Sequence, residues 1–242
     1  MDYNTISACI AETGMICRGG FHPDPDDGLP AAVGTAIMAG NAGGDFWRRF
    51  RAEFPAGAED PLNDWSASVL NAIADALGAE ILFPFGGPPY HPFQRWAQRA
   101  EAVYPSPVGP LIHPVYGLWH AYRGLFLFDE TFSVPERREA PSPSPSPSPS
   151  PSPSPSPSPS PSPSPCDDCD GQPCLHSCPV GAMTISGFEM DPCLAHLAGP
   201  GGGDCMEYGC AARRACPVGA QYTYEPDQAK FHHHAFFGAY YP

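Results

Sequence analysis

The stretch "CDDCDGQPCLHSCPVGA", which runs from Cys166 to Ala182, places four cysteines within thirteen residues. Its last five residues, "CPVGA", occur again at 216–220, so this part of the chain contains an internal repeat. Close spacing of thiols is typical of metal and metal-cluster sites, because one short loop then supplies several ligands. The repeat therefore predicts two such sites, one associated with each copy.

The cysteines of the C-terminal segment divide into two sets of four by spacing. The first set follows C-x2-C-x4-C-x3-C-P and ends at Cys178, whereas the second begins at Cys193 and continues as C-x4-C-x5-C-P to Cys216. Eight thiols and two Cys-Pro ends match two 4Fe–4S clusters. Two structural zinc sites are the alternative, although zinc sites favour two C-x2-C pairs and this segment has only one. Disulfides are the third possibility.

The charge of the chain is strongly acidic, with 12 Lys and Arg against 26 Asp and Glu and a formal net charge of -14. A nucleic-acid backbone is therefore not an expected partner, whereas basic patches on redox partner proteins are. The N-terminus lacks the pattern of a signal peptide, and no apolar run reaches the roughly eighteen residues of a membrane span. We expect a cytoplasmic protein with no membrane contact, in which the thiols stay reduced.

Composition divides the chain into three parts. Residues 1–140 predict a small α/β domain of unknown role, 141–165 are a strict Pro-Ser repeat, and 166–242 predict the iron–sulfur domain with a C-terminal tail. The repeat cannot form a helix or a central strand, because each proline lacks an amide donor and fixes φ. Polyproline II or disorder is expected for it. It is either a spacer that lets the cysteine domain swing or an expanded insertion in a tolerant surface loop.

The N-terminal part alternates between helical and extended patterns. Helices are predicted at 5–14, 41–50, 64–80 and 91–103, and strands at 31–40, 80–85 and 116–128. The clearest pattern is in "DWSASVLNAIADALGAE", where the apolar residues share one helix face and Gly78 ends the helix. Helices interleaved with apolar strands predict an α/β layer. The whole chain is therefore assigned to the α+β class.

Residues 166–225 resemble a bacterial-type two-cluster ferredoxin domain, although four residues separate Cys169 from Cys174 where ferredoxins commonly have two. With "CLAHL" at 193–197, the order is similar to the C-terminal domain of epoxyqueuosine reductase and its corrinoid-using relatives. The segments "YHPFQRWAQRAE" and "HPVYGLWHAYRGLFLFDETFSVP" are similar to that family, but its glycine-rich corrinoid-contacting segment is not recognisable. The resemblance implies a nitroreductase-like fold, a corrinoid site and reduction of a modified nucleoside in tRNA. We take from it the layout and not the activity.

The resemblance also implies how the ligands are shared. In bacterial two-cluster ferredoxins the cysteine before proline binds the cluster of the other motif. Cys178 and Cys216 are therefore predicted to be exchanged between the two sets. The predicted ligands are Cys166, Cys169, Cys174 and Cys216 for cluster 1, and Cys178, Cys193, Cys205 and Cys210 for cluster 2.

Two functions follow from this layout, and the sequence leaves open whether the protein is an enzyme. The first is a ferredoxin-like electron-transfer protein that passes single low-potential electrons. The alternative is a redox enzyme that binds a corrinoid, flavin or substrate in a cleft formed by residues 86–122. Its predicted lining includes the loop "GGPPYH" at 86–91, which follows a predicted strand, because ligands of open α/β sheets bind at the carboxyl ends of the strands. His113, His120 and Tyr122 are predicted to line the same cleft.

Four smaller expectations concern other stretches. The loop "RGGFHPDPDDG" from Arg18 is predicted to be solvated, and "HHH" at 232–234 is predicted to form the polar side of a closing helix. Cys9 and Cys17 are expected to be small buried residues. Four apolar side chains are expected to keep water from the cluster sulfurs, namely Val180, Ile185, Met190 and Val218.

Overall fold

The computed structural model describes residues 1–54, 61–136 and 164–241. Nearly all of the predicted Pro-Ser linker lies outside the described residues. The N-terminal segment contains helices α1 (Tyr3–Ala11), α2 (Asp45–Glu53), α3 (Pro61–Leu77) and α4 (Phe93–Ala100) and strands β1 (Ile16–Phe21), β2 (Thr35–Ala42), β3 (Glu80–Leu82) and β4 (His120–Phe128). The cysteine segment, from residue 164 onward, adds the hairpin β5 (Met183–Thr184) and β6 (Gly187–Phe188) and helices α5 (Pro173–His176), α6 (Met190–Ala198), α7 (Gly203–Tyr208), α8 (Ala211–Arg214) and α9 (Pro226–Tyr240).

The four long strands form one antiparallel sheet in the order β1-β2-β4-β3. Side chains of β4 alternate between its two faces, so that Phe126 and Phe128 join one apolar cluster while Leu125 and Leu127 join another. Helices α1, α2 and α3 cover the first face, and α4 covers the second. Burial on both faces explains why residues 36–40 of β2 and 124–128 of β4 are continuously apolar.

The α+β class and the main helices agree with the prediction. In α3, Trp65 and Leu70 are buried and Val69, Ile73 and Leu77 pack against the same cluster, as the helical periodicity indicates. The sheet differs in two respects. Strand β1 extends to Phe21, into the stretch from Arg18 for which the sequence predicts a solvated loop, and the strands pair antiparallel. The rule that ligands bind at the carboxyl edge of a parallel sheet therefore does not apply here.

The cysteine segment packs directly on the N-terminal segment. Gly117 approaches so closely that a Cβ atom on it would lie 1.8 Å from the carbonyl oxygen of Val218. The guanidinium of Arg213 donates from Nε and Nη2 to the Leu118 carbonyl at 3.1 and 2.5 Å. The indole of Trp47 donates to Asp227 at 2.8 Å. The contacts of Gly117 and Leu118 hold the turn before β4 against the second Cys-Pro loop and α8. The bond from Trp47 joins α2 to α9.

The close approach at Gly117 predicts a steric effect that a matched variant isolates. Gly117 and Gly28 both have left-handed backbones, with φ of 58° and 70°, but nothing lies within 4 Å of a Cβ placed on Gly28. Backbone strain of roughly 1 kcal/mol is common to both alanine variants. The clash adds about 2 kcal/mol or more for Gly117→Ala alone. Its melting temperature, measured anaerobically, should therefore fall by about 5 °C more than that of Gly28→Ala. Equal melting temperatures would contradict this packing.

Candidate functional site

The first four predicted ligands come together in one place. Cys166, Cys169, Cys174 and Cys216 all line a narrow cavity of about 20 Å³, together with apolar residues that include Ile112 and Val218. Burial raises the pKa of Cys166, and the nearby thiols of Cys216, Cys174 and Cys169 raise it further. Cys216 therefore lies with the cysteines of the first motif and not with Cys205 and Cys210 of its own motif.

The other four predicted ligands form a second group. The pKa of Cys193 is raised to about 11, mainly by burial and then by the neighbouring thiols of Cys210, Cys178 and Cys205. Burial also raises the pKa of Cys210, and its thiol neighbours are again Cys205 and Cys178. The structure thus brings Cys178 to the second group, so that both Cys-Pro cysteines are exchanged between the motifs.

The internal repeat of the sequence is also a repeat of local structure. Each "CPVGA" copy follows a four-residue helix, α5 in the first and α8 in the second, and one residue lies between the helix end and the cysteine. The glycine of each copy is left-handed, with φ of 63° at Gly181 and 73° at Gly219. The two motifs therefore present their cysteines from equivalent turns.

Backbone amides and apolar side chains surround the thiols. The amide of Ala182 donates to the Cys178 sulfur at 3.3 Å. Burial has the largest effect on the pKa of Cys210 and raises it. Hydrogen bonds from the amides of Arg213 and Ala212 lower the same pKa. Amide donors of this kind stabilise a thiolate and tune the potential of a bound cluster.

The apolar shield differs from the prediction. Ile185 is 91% exposed, and Val180 and Met190 are also exposed, so these three do not cover the thiols. Val218 does pack in the cluster that contacts them. The shield consists instead of residues buried between the two segments: Val108, Ile112, Leu118, Met183 and Ala212. Sequence reasoning missed them because three of the five, Val108, Ile112 and Leu118, belong to the N-terminal segment.

The donor set of both groups consists of cysteine thiols alone. All ten cysteines are free of disulfides. Within the described ranges, no group of three or more His, Cys, Asp and Glu side chains is arranged to hold a metal ion. A single zinc ion needs four sulfurs at about 2.3 Å from one point.

A cleft of two adjoining lobes lies beside the second cysteine group. The cluster-side lobe, of about 350 Å³, has Cys193, Cys210, Trp119 and His233 in its wall. The sheet-side lobe, of about 360 Å³, is lined by residues of β4 that include His120 and Tyr122. The lobes share four residues: Pro110, Arg213, Tyr224 and His232.

A buried polar network borders the sheet-side lobe. Arg18 is 1% exposed and pairs with Glu101 at 2.5 Å, and Tyr122 donates its hydroxyl to the same carboxylate at 2.6 Å. Burial, and then the charge of Arg18, lowers the pKa of His120 to about 2. His120 is therefore neutral, accepting from Arg18 at Nδ1 and donating from Nε2 to the Leu111 carbonyl. Both ring nitrogens are engaged, so this histidine positions the network.

The structure brings some of the predicted cleft residues together and places others away from the cleft. His113, His120 and Tyr122 do come together around Arg18 and Glu101. The loop at 86–91 lines neither lobe of the cleft, and Tyr90 is 69% exposed. Its selection depended on the parallel-sheet rule, which this antiparallel sheet does not meet.

Two other expectations need correction. The loop from Arg18 is not simply solvated, because Arg18 is buried in β1 and Asp27 is 2% exposed and pairs with Arg99. The three histidines do lie in the closing helix α9, but His232 and His233 face the cleft. Burial lowers the pKa of His232 to about 3 and that of His233 to about 4. A histidine run gave no signal that one side would face inward.

The fold is similar to that of two solved structures of epoxyqueuosine reductase. In one, the reductase is accompanied by an epoxyqueuosine-modified tRNA-Tyr stem loop; it matches with a TM-score of 0.52 at 13% identity, covering 93% of this chain and 69% of that chain. The other is the enzyme from Streptococcus thermophilus, with a TM-score of 0.52 at 14% identity over 95% and 70%. At these identities the likeness is one of fold.

No protein-family model matches the chain, and no curated protein matches it either. Among the described helices, none is both long and apolar enough to cross a membrane.

The exchange of Cys178 and Cys216 predicts which variants share a phenotype. Cys216→Ala should lose the same cluster as Cys166→Ala, and Cys178→Ala the same cluster as Cys193→Ala, because each pair lies in one group. Each variant should keep about half of the wild-type iron. In electron paramagnetic resonance of the reduced proteins, the two variants of a pair should show the same residual signal, and the two pairs should show different ones. Cys9→Ala, outside both groups, is the control and should keep both signals. Matching signals for Cys216→Ala and Cys193→Ala would contradict the exchange.

Proposed function

We propose that the chain is an iron–sulfur redox protein, in which eight cysteines hold two 4Fe–4S clusters. The observation that carries this proposal is the gathering of the cysteines into two groups of four, each with one member from the other motif. Cluster 1 would be held by Cys166, Cys169, Cys174 and Cys216, and cluster 2 by Cys178, Cys193, Cys205 and Cys210. When bound, such clusters store and transfer single electrons at potentials set by their surroundings.

The protein residues supply those surroundings. Leu118 and Met183 exclude water from the thiols, which lowers the local dielectric. Amide donors at Ala182 and in α8 favour the thiolate over the thiol. Metal coordination then deprotonates cysteines whose pKa burial has raised. The ferredoxin-like function, transfer of single low-potential electrons, needs nothing beyond this machinery.

The cleft favours the second function, a redox enzyme. Cys193 and Cys210 form part of the wall of the cluster-side lobe, so a molecule bound there would contact two ligands of cluster 2. A simple carrier has no use for such a cavity, whose volume is typical of a small-molecule site. Each lobe suits a molecule of flavin or substrate size. A corrinoid, which the resemblance implied, is considerably larger than either lobe.

The remaining partners are proposed from charge and cysteine content. Electrons would come from a redox partner protein that presents a basic surface, because the chain carries a net charge of -14. The same charge is the reason for proposing no nucleic-acid substrate. Eight thiols available as ligands suit a reducing compartment, and we propose the cytoplasm.

Metal analysis and visible absorption of anaerobically purified protein test this function. We expect about eight iron and eight sulfide per chain and a brown absorption band that bleaches with dithionite. Bands beyond the iron–sulfur shoulder would favour the enzyme over the carrier. About two zinc ions and no colour would contradict the proposal and make the segment a structural zinc module.

A further inference from the structure

The cleft has a charge opposite to that of the chain. Its walls contain no Asp or Glu among the described residues, whereas Arg213 lines both lobes. The whole chain has more than twice as many acidic as basic residues. The positive charge in the cavity attracts anions, although the acidic surface around it repels them. An anion bound in this protein would therefore be held at the cleft.

Arg213 is held in place without a carboxylate. Its guanidinium donates to the Leu118 carbonyl and lies 4.7 Å from the ring centre of Trp119 and 4.6 Å from that of Tyr224. In the part of the chain that the structure describes, no salt bridge neutralises it. Its charge contributes, after burial, to the lowered pKa of His232 and His233. The guanidinium is thus fixed, desolvated on two faces and still able to pair with an anion.

A second polar group in the cleft has no partner. Trp119 is 3% exposed and lines the cluster-side lobe, yet its Nε1–H makes no hydrogen bond within the described residues. The buried Nε2 of His233, in the same wall, is also unpaired. Leaving a buried donor unsatisfied costs about 1–3 kcal/mol. An acceptor on a bound ligand would remove that cost.

The remaining wall of this lobe is apolar and partly aromatic. Met183, Phe188 and Phe236 lie there, and the two phenyl rings are 6.2 Å apart between centroids. Such surfaces bind planar ring systems through stacking and edge contacts. Because Cys193 and Cys210 share the lobe, a ring placed against this wall would lie beside cluster 2.

We propose that the cleft binds a planar heteroaromatic molecule that carries a phosphate group. Arg213 and the Trp119 indole N–H recognise the phosphate, and Met183, Phe188 and Phe236 contact the ring. This inference rests on the proposed function for the role of the ligand as an electron acceptor or donor beside cluster 2. The binding itself depends only on the residues of the cleft.

Flavin mononucleotide and riboflavin are matched probes, since they share the ring system and differ by the phosphate. Equilibrium dialysis is done anaerobically on full-length protein whose iron content is measured in the same sample. Flavin mononucleotide should bind with a Kd at least about tenfold lower than that of riboflavin, as expected for a charge-assisted contact. Equal affinities, or no binding of either probe to iron-replete protein, would overturn the inference but leave the proposed function intact. Protein without iron would instead overturn the proposed function.

Variants locate the phosphate contact. Arg213→Gln should abolish most of the preference for flavin mononucleotide, Arg213→Lys should keep part of it, and Trp119→Phe should weaken flavin mononucleotide more than riboflavin. The matched control is Arg214→Gln, because Arg214 is adjacent in sequence but pairs with Asp204 and lines neither lobe. An unchanged preference in both Arg213→Lys and Trp119→Phe would place the phosphate elsewhere and contradict the assignment.

Discussion

The contact between the turn before β4 and the second Cys-Pro loop is the constraint on which the rest of the structure depends. Gly117 meets Val218 with no room for a side chain, and Arg213 fixes the Leu118 carbonyl. This contact seats the cysteine segment against the sheet. It encloses both the apolar shield of the thiols and the cleft, because each of them takes residues from both sides.

The position of Arg213 links the two proposed roles of the protein. It lies in α8, between Cys210 and Cys216, so the helix that spaces the thiols also carries the cation of the cleft. Its neighbour Arg214 turns outward to Asp204. Cluster binding and anion binding would therefore be built from one short stretch of chain. The cleft and the second cysteine group have a common wall for the same reason.

The sequence predicts the parts of this structure that depend on local pattern. The face of α3 follows from helical periodicity, and the existence of two Cys-Pro turns follows from the repeated pentapeptide. The ligand assignment itself stays a prediction, although the two groups of thiols in the structure match it. What sequence reasoning missed depends on long-range packing. Arg18, an isolated arginine beside two glycines, becomes the buried centre of a network only because Glu101 and β4 reach it.

The same limit explains the errors in the site. Arg213 binds a carbonyl 95 residues away, so no local pattern reveals that it faces inward. Val180, Ile185 and Met190 were expected to keep water from the thiols, yet all three are exposed, because a short distance in sequence does not place a side chain over a thiol when the chain turns outward. The loop at 86–91 was chosen by a rule for parallel sheets. The pairing direction of strands depends on the whole fold.

Anomalous diffraction at the iron edge from anaerobically grown crystals tests the central claim most directly. Two iron peaks are expected, one among Cys166, Cys169, Cys174 and Cys216 and the other among Cys178, Cys193, Cys205 and Cys210. A single iron peak, peaks at the zinc edge, or Cys178 and Cys216 each bound within its own motif would contradict it.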